Sequence, residues 1–382
     1  MKLQTLKKAR LKKGMRVLVR VDFNEPIVHG KIFDDFRIRQ TLSTIFYLLK
    51  KGCTVILISH LGRPQGKKNQ TMSLLPICRL FEKVLRRDVI FVKNPFLHNF
   101  SGDINRGKSV FLVENIRFWP EEEKNSREFA KKLASLGDFF VNDAFGVSHR
   151  NHASVCGISK YLPSAAGFLF EKEISALEKL LYHHRRPFFV LLGGAKASTK
   201  IDLVKKFLKE SDGVLAGGAI GNTILEAQGF SIGRSISLKV TKRNLRNRID
   251  ISSKELFTLR DAVVTKKVTA HSGTAIRRIG SIGKGEYIAD IGPETANLFI
   301  RKLKTAKTIL WNGPLGVIEI DKFSDGTRKL VNAMRKIKAY KVTGGGETIA
   351  FLKKNRLFGV FDHVSTGGGA MLEFLAGKKL PG

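Results

Sequence analysis

The stretch Phe188-Phe189-Val190-Leu191-Leu192-Gly193-Gly194-Ala195-Lys196-Ala197-Ser198-Thr199-Lys200 decides the fold class of this chain. Its five leading apolar residues predict a short buried strand. A glycine pair follows, and the residues beyond Lys200 form an amphipathic stretch that is typical of a helix. A strand that leads through a glycine turn into a helix is the unit from which parallel sheets are built.

The same alternation of apolar runs and amphipathic segments recurs on both sides of this stretch. The other runs lie at 17–21, 55–58, 89–92, 110–113, 139–141, 214–216, 262–264, 308–311 and 340–343. A helix-like segment at 171–181 ends before Pro187, because the residue preceding a proline avoids the helical region. We therefore predict an α/β protein with two doubly wound parallel-sheet domains, 1–163 and 187–365. A linker helix and hinge at 164–186 would join them, and a C-terminal segment, 366–382, would return to the first domain.

Charge and composition favour a globular protein with anionic ligands and argue against a membrane-spanning one. The 382 residues carry 68 Lys and Arg against 33 Asp and Glu, a formal charge of +35, which attracts phosphates and other polyanions. Basic residues concentrate at 7–16, 242–248 and 302–307. No apolar run is long enough to span a membrane. Three cysteines without a CxxC pair favour a reducing, cytoplasmic location.

Polar side chains follow several predicted strands of the first half. In open parallel sheets the ligand lies beyond the carboxyl ends of the strands, where such residues gather. Arginine forks match phosphate and carboxylate groups in two-bond pairs, so this set predicts a pocket for a small, highly anionic molecule. The candidates are Asp22, Asn24, Arg37, His60, Arg63, Arg117 and Arg150. Asp22 is read either as a hydroxyl ligand or as a carboxylate that holds an arginine.

Glycine-rich turns follow the strands of the second half and predict a site for nucleotide phosphates. Glycine lets backbone N–H groups approach an anion, and a helix N-terminus favours negative charge. If both lie on one helix face, Lys196 and Lys200 repel each other. If the helix begins near Ser198, Lys200 lies in its first turn, where its charge is repelled by the positive end of the helix dipole. A bound anion would offset the repulsion in either arrangement. The alternative interpretation is that both lysines are solvated and bind no ligand. The glycines concerned are Gly193, Gly217, Gly218, Gly344, Gly345, Gly346 and Gly368.

One apparent phosphate loop is interpreted as a coincidence. Residues 102–109 match GxxxxGKS letter for letter. A true phosphate loop follows a strand and opens a helix. Here a loop at 94–101 is expected before the motif and a strand at 110–113 after it, so a turn that enters a strand explains the match.

Together the motifs RVDFNEP, SHLGRP, ENIRFWPEEE, VNDAFGVSHRNHAS, LGGAKASTK, DIGPET, WNGPLG, GGGET and HVSTGGGAMLEFLAGKKLP resemble the phosphoglycerate kinase family in order and spacing, from about residue 15 to 381. The resemblance implies reversible phosphoryl transfer between 1,3-bisphosphoglycerate and ADP, giving 3-phosphoglycerate and ATP, with Mg²⁺ on the nucleotide. It also implies 3-phosphoglycerate binding in the first domain, nucleotide binding in the second, and transfer after domain closure. We expect a monomer without a specific nucleic-acid or membrane partner.

The resemblance also assigns roles to individual residues. Those with a catalytic role would be Arg37, Lys196, Lys200, Gly345 and Gly368, and the 3-phosphoglycerate ligands would be the seven first-half candidates above. The nucleotide would be bound by Gly193, Lys196, Lys200, Gly217, Gly218, Gly292, Asn312, Glu319, Gly344, Gly345, Gly346, Glu347 and Thr348. Glu347 would also hold Mg²⁺ through the nucleotide.

Three positions depart from the family pattern. Glu25 stands where the family commonly has Val, Thr199 where it usually has Asp, and Glu347 where an Asp helps to hold Mg²⁺. Thr199 and Glu347 keep open the interpretation of a degenerate kinase that binds nucleotide without turnover. The charge of +35 keeps open that of a polyanion-binding protein that retains the fold.

Overall fold

The protein forms two compact units in a computed structural model, which describes residues 3–25, 27–28, 31–32, 34–194, 199–238 and 242–382. One unit comprises Met1–Ser175 with Lys379–Gly382, and the other comprises Ala176–Lys378. Within the described residues, no helix has the length and apolar character needed to cross a bilayer.

The first unit is built on strands that alternate with helices. Its strands are β1 (Arg16–Arg20), β2 (Ile27–Val28), β3 (Lys31–Ile32), β4 (Thr54–Ile58), β5 (Ile90–Val92), β6 (Val110–Val113), β7 (Phe139–Asn142) and β8 (Ser164–Ala166). Its helices are α1 (Phe36–Gln40), α2 (Leu42–Lys50), α3 (Leu75–Leu85), α4 (Phe100–Asn105), α5 (Pro120–Glu123), α6 (Arg127–Ala134) and α7 (Phe168–Tyr182). The boundary between the units falls within α7.

The main sheet of this unit has six parallel strands in the described part of the chain, in the order β5-β6-β4-β1-β7-β8. Successive side chains of a strand point to opposite faces. Val17 and Val19 accordingly belong to one apolar core cluster, and Leu18, between them, belongs to another. Because helices cover both faces, the inner strands are buried along nearly their whole length.

The second unit repeats the plan. Its strands are β9 (Phe188–Leu192), β10 (Gly213–Ala216), β11 (Leu256–Phe257), β12 (Asp261–Thr265), β13 (Ala275–Arg278), β14 (Tyr287–Ile291), β15 (Thr308–Asn312), β16 (Tyr340–Gly344) and β17 (His363–Ser365). Its helices are α8 (Thr199–Glu210), α9 (Gly218–Gln228), α10 (Lys242–Arg248), α11 (Pro293–Lys304), α12 (Asp325–Met334), α13 (Gly346–Lys354) and α14 (Gly368–Leu375). Within the described residues, six parallel strands run in the order β11-β10-β9-β15-β16-β17.

The predicted fold class, two doubly wound parallel sheets, is confirmed. The prediction is wrong for 262–264, because β12 lies instead in a separate antiparallel sheet, between β13 and β14. The predicted linker 164–186 contains α7, preceded by β8, which pairs with β7. The C-terminal Gly382 N–H donates to the Ser148 carbonyl at 3.0 Å within the first unit.

The GxxxxGKS match is not a phosphate loop in the structure. Strand β6 follows it, as expected, and no helix begins there. The expected loop before it is partly wrong, because α4 already begins at Phe100, with Asn99 accepting a hydrogen bond from the Gly102 N–H at 2.9 Å.

A buried carboxyl group caps the start of α7. One Asp143 oxygen, Oδ1, accepts from the Leu169 N–H at 2.9 Å and the Phe170 N–H at 3.2 Å. Burial raises the pKa of Asp143 to about 7, although these hydrogen bonds and one from Thr44 favour the ionised form. A carboxyl pKa raised by folding makes stability fall as the pH rises towards that value.

We expect Asp143→Asn to remove this component of the pH dependence. Relative to wild type, the free energy of unfolding of the variant should increase by about 1 kcal/mol or more between pH 5 and pH 8. Urea unfolding at several pH values measures this difference. The control is Asp88→Asn, whose exposed carboxylate pairs with Lys108. A variant that follows the wild-type profile at every pH would contradict the assignment.

Candidate active site

Five candidate residues of the first unit follow strands β1, β4 and β6 at one edge of the sheet, whereas Arg37 lies in α1 and Arg150 follows β7. Asn24 lies at the centre of their contacts: its Oδ1 accepts from the Gly62 N–H at 2.8 Å, and its carbonyl accepts from Arg37 Nη1 at 2.6 Å. Arg117 Nη1 donates to the Gly62 carbonyl at 2.7 Å. Loops that follow three strands are therefore tied together by hydrogen bonds, which fixes the positions of two arginines.

Behind this layer lies a buried arginine that sequence reasoning did not select. Arg20 is fully buried at the end of β1, where its Nε donates to Ser154 Oγ at 2.9 Å and its Nη2 lies 3.3 Å from His60 Nδ1. Ser154 in turn donates to the carboxylate of Glu122, which is also fully buried. The sequence signal was an arginine at the end of an otherwise apolar strand, and the Glu122 contact could not be read from it.

His60 is neutral in this environment. Burial lowers its pKa well below the ordinary value, and the positive charges of Arg20 and Arg117 lower it further. The 3.8 Å separation of His60 Nδ1 from Asp22 Oδ1 is therefore not an ion pair at neutral pH. Asp22 also accepts a hydrogen bond from the Asn24 N–H at 3.3 Å, and its negative charge acts on the nearby Arg37 and Arg20.

Glu25 is a buried carboxyl group beside Arg37. Its Oε2 lies 3.8 Å from Arg37 Nη1, and its Oε1 has no hydrogen-bond partner among the described residues. Burial raises the pKa of Glu25 to about 7, against the lowering effect of Arg37. The pKa of Arg37 is itself raised, because Asp22, Glu25 and Asp34 together outweigh the effect of its burial.

The remaining two candidate arginines of the first unit, Arg63 and Arg150, are exposed. Arg63 follows Gly62 directly and forms no ion pair with any described residue. Arg150 contributes a positive charge that lowers the pKa values of Arg117 and His152, which places it near both. The described contacts thus join Asp22, Asn24, Arg37, His60 and Arg117 into one group, with Arg150 beside it.

In the second unit, the loops after β9, β10, β15, β16 and β17 meet at one edge of the sheet. The strands are in parallel register, so that Asn312 lies opposite both Leu192 and Gly344, and Gly344 lies opposite Ser365. Chain order reverses between β9 and β15, the type of position at which open α/β sheets bind ligands. Helices α9, α13 and α14 begin at Gly218, Gly346 and Gly368, directly after these strands.

Close backbone contacts explain why glycine is required here. A Cβ atom on Gly313, whose φ is +88°, would lie 2.4 Å from the Gly193 carbonyl oxygen and 2.7 Å from Lys200 Nζ. A Cβ on Gly218, with φ of +54°, would lie 2.8 Å from the Gly194 nitrogen. The Gly194 N–H donates to the Pro314 carbonyl at 2.6 Å, so the turns after β9 and β15 contact directly.

Side-chain hydrogen bonds also connect these turns. Asn312 Nδ2 donates to the Gly344 carbonyl at 2.8 Å, and Thr348 Oγ1 accepts from the Gly313 N–H at 3.0 Å. A Cβ on Gly368 would lie 3.1 Å from the Gly345 Cα, so the turns after β16 and β17 are also adjacent. Two helix N-termini, those of α13 and α14, therefore lie side by side.

Lys200 brings a buried ammonium group to this edge. It lies in the first turn of α8, where it meets the positive end of the helix dipole, and its Nζ donates to the Gly193 carbonyl at 2.5 Å. Burial lowers the pKa of Lys200 to about 8, although Glu347 acts to raise it. A Cβ on Gly194 would lie 3.0 Å from Lys200 Nζ and 3.2 Å from Glu347 Oε2, so both groups border the same point.

Three other predicted nucleotide ligands are Lys196, Gly292 and Glu319. Lys196 is among the residues that the structure does not describe. Gly292 precedes α11, beyond the separate antiparallel sheet, with its N–H donating to the Asp261 carbonyl at 3.0 Å. Glu319 is exposed in the loop after β15, and that loop contacts the same sheet through the bond from the Val317 N–H to the Ala289 carbonyl.

The chain is similar to known proteins of one family. Residues 6–378 match the family model for Phosphoglycerate kinase. A phosphoglycerate kinase of Dictyoglomus turgidum is 46% identical over 377 residues, 97% of this chain and 95% of that protein. The chain belongs to the phosphoglycerate kinase family. A phosphoglycerate kinase of Coprothermobacter proteolyticus is 44% identical over 388 residues, 100% of this chain and 98% of that one.

Solved structures of the family have the same fold. A phosphoglycerate kinase from Coxiella burnetii superimposes with a TM-score of 0.84 at 36% identity, covering 99% of this chain and 97% of that one. A phosphoglycerate kinase from Pyrococcus horikoshii OT3 gives a TM-score of 0.86 at 32% identity, with the same coverage.

We expect Lys200→Met to stabilise the ligand-free protein. The lowered pKa means that the ionised ammonium disfavours folding below about pH 8, and this cost disappears as the pH rises towards the ordinary lysine value. At pH 7 the variant should gain about 2–3 kcal/mol in free energy of unfolding, and less at pH 10.

Chemical denaturation at the two pH values measures this gain. Lys205→Met, which removes an exposed lysine from the same helix, is the matched control and should change stability little. A Lys200→Met variant that is less stable than wild type at pH 7 would show that the ammonium group supports the ligand-free site.

Proposed function

We propose that this chain catalyses the reversible transfer of a phosphoryl group between 1,3-bisphosphoglycerate and ADP, giving 3-phosphoglycerate and ATP. The observation that carries the proposal is the edge of the second sheet, where Lys200 and the N-termini of α13 and α14 gather beside Glu347. Membership of the phosphoglycerate kinase family supports the same activity.

The group at the edge of the first sheet is proposed to bind the triose. Arg37, Arg117 and Arg150 supply positive charge for its phosphate and carboxylate groups, with Arg63 completing the set. Neutral His60, together with Asn24 and Asp22, would bind hydroxyl and carboxyl oxygens. The buried Arg20–Ser154–Glu122 contacts hold this layer from behind.

The second unit is proposed to bind ATP or ADP. Lys200, Lys196 and the N–H groups of α13 and α14 would bind the phosphates, and Gly217, Gly218, Asn312 and Glu319 would line the nucleoside. Among the described residues, no cluster of three acidic, His or Cys side chains could hold a metal by itself. A single carboxylate, that of Glu347, fits Mg²⁺, which keeps several waters and binds substrate phosphates. When bound, Mg²⁺ would neutralise phosphate charge.

The chemistry needs no general base. A carboxylate is already ionised at neutral pH, and so is the phosphate oxygen that accepts in the reverse direction. Alignment and charge stabilisation of the transferring group are therefore the tasks of Arg37, Lys196, Lys200 and the N–H groups around Gly345 and Gly368. Transfer between substrates held by different units requires the two to approach each other, and this closure is part of the proposal.

The cellular setting is proposed to be the cytoplasm, with the chain acting as a monomer. The cysteines in the described structure, Cys53, Cys78 and Cys156, are all unpaired, which fits a reducing compartment.

The activity is tested by ATP-dependent phosphorylation of 3-phosphoglycerate, coupled to reduction by a dehydrogenase, with Mg²⁺ titrated. We expect a rate that saturates with both substrates. Removing the carboxylate with Glu347→Gln should raise the Mg²⁺ concentration for half-maximal rate roughly tenfold, a loss of one charge-assisted ligand. Glu347→Asp restores a carboxylate and should recover much of the loss.

Glu210→Gln, which changes the same charge at the far end of α8, serves as the control for the Mg²⁺ titration. If the folded wild-type protein binds nucleotide but shows no turnover at any Mg²⁺ concentration, the proposal fails, and the degenerate-kinase interpretation replaces it.

Glu25 is predicted to make 3-phosphoglycerate binding weaker at alkaline pH. Above about pH 7 its ionised carboxylate opposes the charge of Arg37, whereas protonation at lower pH removes that effect. We expect Glu25→Gln to bind 3-phosphoglycerate roughly five- to tenfold more tightly than wild type at pH 8, with little difference at pH 6.

Titration calorimetry with 3-phosphoglycerate alone measures this affinity without turnover. The control is Asp138→Asn, because this carboxylate pairs with Arg16 at the opposite end of β1. If the affinities of Glu25→Gln and wild type change in parallel with pH, Glu25 does not act on Arg37.

A further inference from the structure

The basic segment 302–307 has no part in the proposed reaction. Two lysines of this segment line a groove of about 790 Å³ together with one lysine of α12 and two that follow α12. This lysine groove is lined by Lys304, Lys307, Lys329, Lys336 and Lys338, with Asn332 and with Ile300, Ala306, Ala333 and Ile337 as its apolar part. Two walls therefore contribute cations: the end of α11 with the turn after it, and α12 with the turn that follows.

Among the described residues, no carboxylate lines this groove. None of its five lysines forms an ion pair with a described residue, and Lys329 Nζ donates instead to the neutral Asn297 Oδ1 at 3.0 Å. The neighbouring groove, by contrast, combines Lys322 and Lys329 with Asp290 and Asp325. Uncompensated positive charge is therefore a property of the lysine groove and not simply of every depression in this basic protein.

The helix ends nearby do not account for so many lysines. Lysines near a helix C-terminus stabilise its partial negative charge, which is about −0.5 for each helix. Two helices, α11 and α12, end beside the groove, at Lys304 and Met334. Together they offset about one of the five positive charges, so roughly four remain for an external anion.

The lysine groove is remote from the nucleotide edge. Lys307 directly precedes β15 and Lys338 lies two residues before β16, whereas Asn312 and Gly344 end those strands. A five-residue strand spans about 16 Å. Both strands separate the two sites, so an anion in the groove does not compete with the nucleotide.

We propose that the lysine groove binds the phosphate backbone of a nucleic acid without reading its bases. The lining offers no arginine fork and no glycine turn that would fix one phosphate in a set geometry, and lysines act as flexible point charges. Such a surface selects for the number of charges in the ligand and not for its shape. It also contains no aromatic side chain on which a base could stack.

The test uses the full chain and fluorescein-labelled 12-nucleotide oligothymidylate and oligodeoxyadenylate, with anisotropy measured over a range of salt concentrations. The groove variant carries Lys304→Gln, Lys307→Gln, Lys336→Gln and Lys338→Gln. The matched control carries Lys50→Gln, Lys83→Gln, Lys131→Gln and Lys209→Gln, four exposed lysines elsewhere with the same change in net charge.

We expect wild type and control to bind both oligonucleotides equally well, with a slope of log affinity against log salt of about −3 for four contacted phosphates. The groove variant should lose roughly tenfold or more in affinity at low salt, and its slope should approach zero. Its kinase activity should be unchanged, and saturating Mg-ATP should leave oligonucleotide binding by wild type unaffected.

Three results would overturn the proposal. Equal weakening of the groove variant and the control would show that the overall charge, and not the groove, binds nucleic acid. Displacement of the oligonucleotide by Mg-ATP would place it at the nucleotide edge. A clear preference for one base would require a reading surface that the lysine groove lacks.

Discussion

The parallel register of the strands is the constraint on which the rest of this structure depends. In each main sheet, hydrogen bonds between neighbouring strands bring their carboxyl ends to a common edge, so that residues far apart in sequence become neighbours. Asn312 reaches Gly344 because their strands end level with each other, and Asn24 reaches Gly62 for the same reason. A slip of one residue in any of these strands would separate the groups that are proposed to bind anions.

Burial changes the protonation of several of these neighbours. Ionisable groups at these edges lie close to apolar cores, where charges interact more strongly than in water. The protonation of each group therefore depends on the charges of its neighbours. His60 is neutral because burial and then the neighbouring arginines lower its pKa, and burial likewise lowers the pKa of Lys200 to about 8. The substrates of the proposed reaction are anions, which would offset the positive charge of Arg37, Arg117 and Lys200 at the two edges.

The sequence predicts the fold class well because strands covered on both faces read as short apolar runs. It fails at 262–264, where an equally apolar run pairs antiparallel, since composition does not encode the partner of a strand. Among candidate residues, Asn24 and Arg117 could be selected because they follow strands, and Arg37 because it lies at a predicted helix start. Arg20 and Glu122 were missed because their contacts join positions far apart in sequence, through Ser154. Gly292 was assigned by resemblance alone, and the structure adds only its position before α11.

The two ends of the second sheet differ in how well they tolerate amino-acid substitutions. At the carboxyl end, several turns contact through backbone atoms, and glycines there have no room for a side chain. At the amino end, the lysines between α11 and α12 are solvent-exposed and can be exchanged without disturbing those turns. Surface labels, affinity tags or attachment to a solid support are therefore best placed at this end, where an added group meets no part of the catalytic machinery.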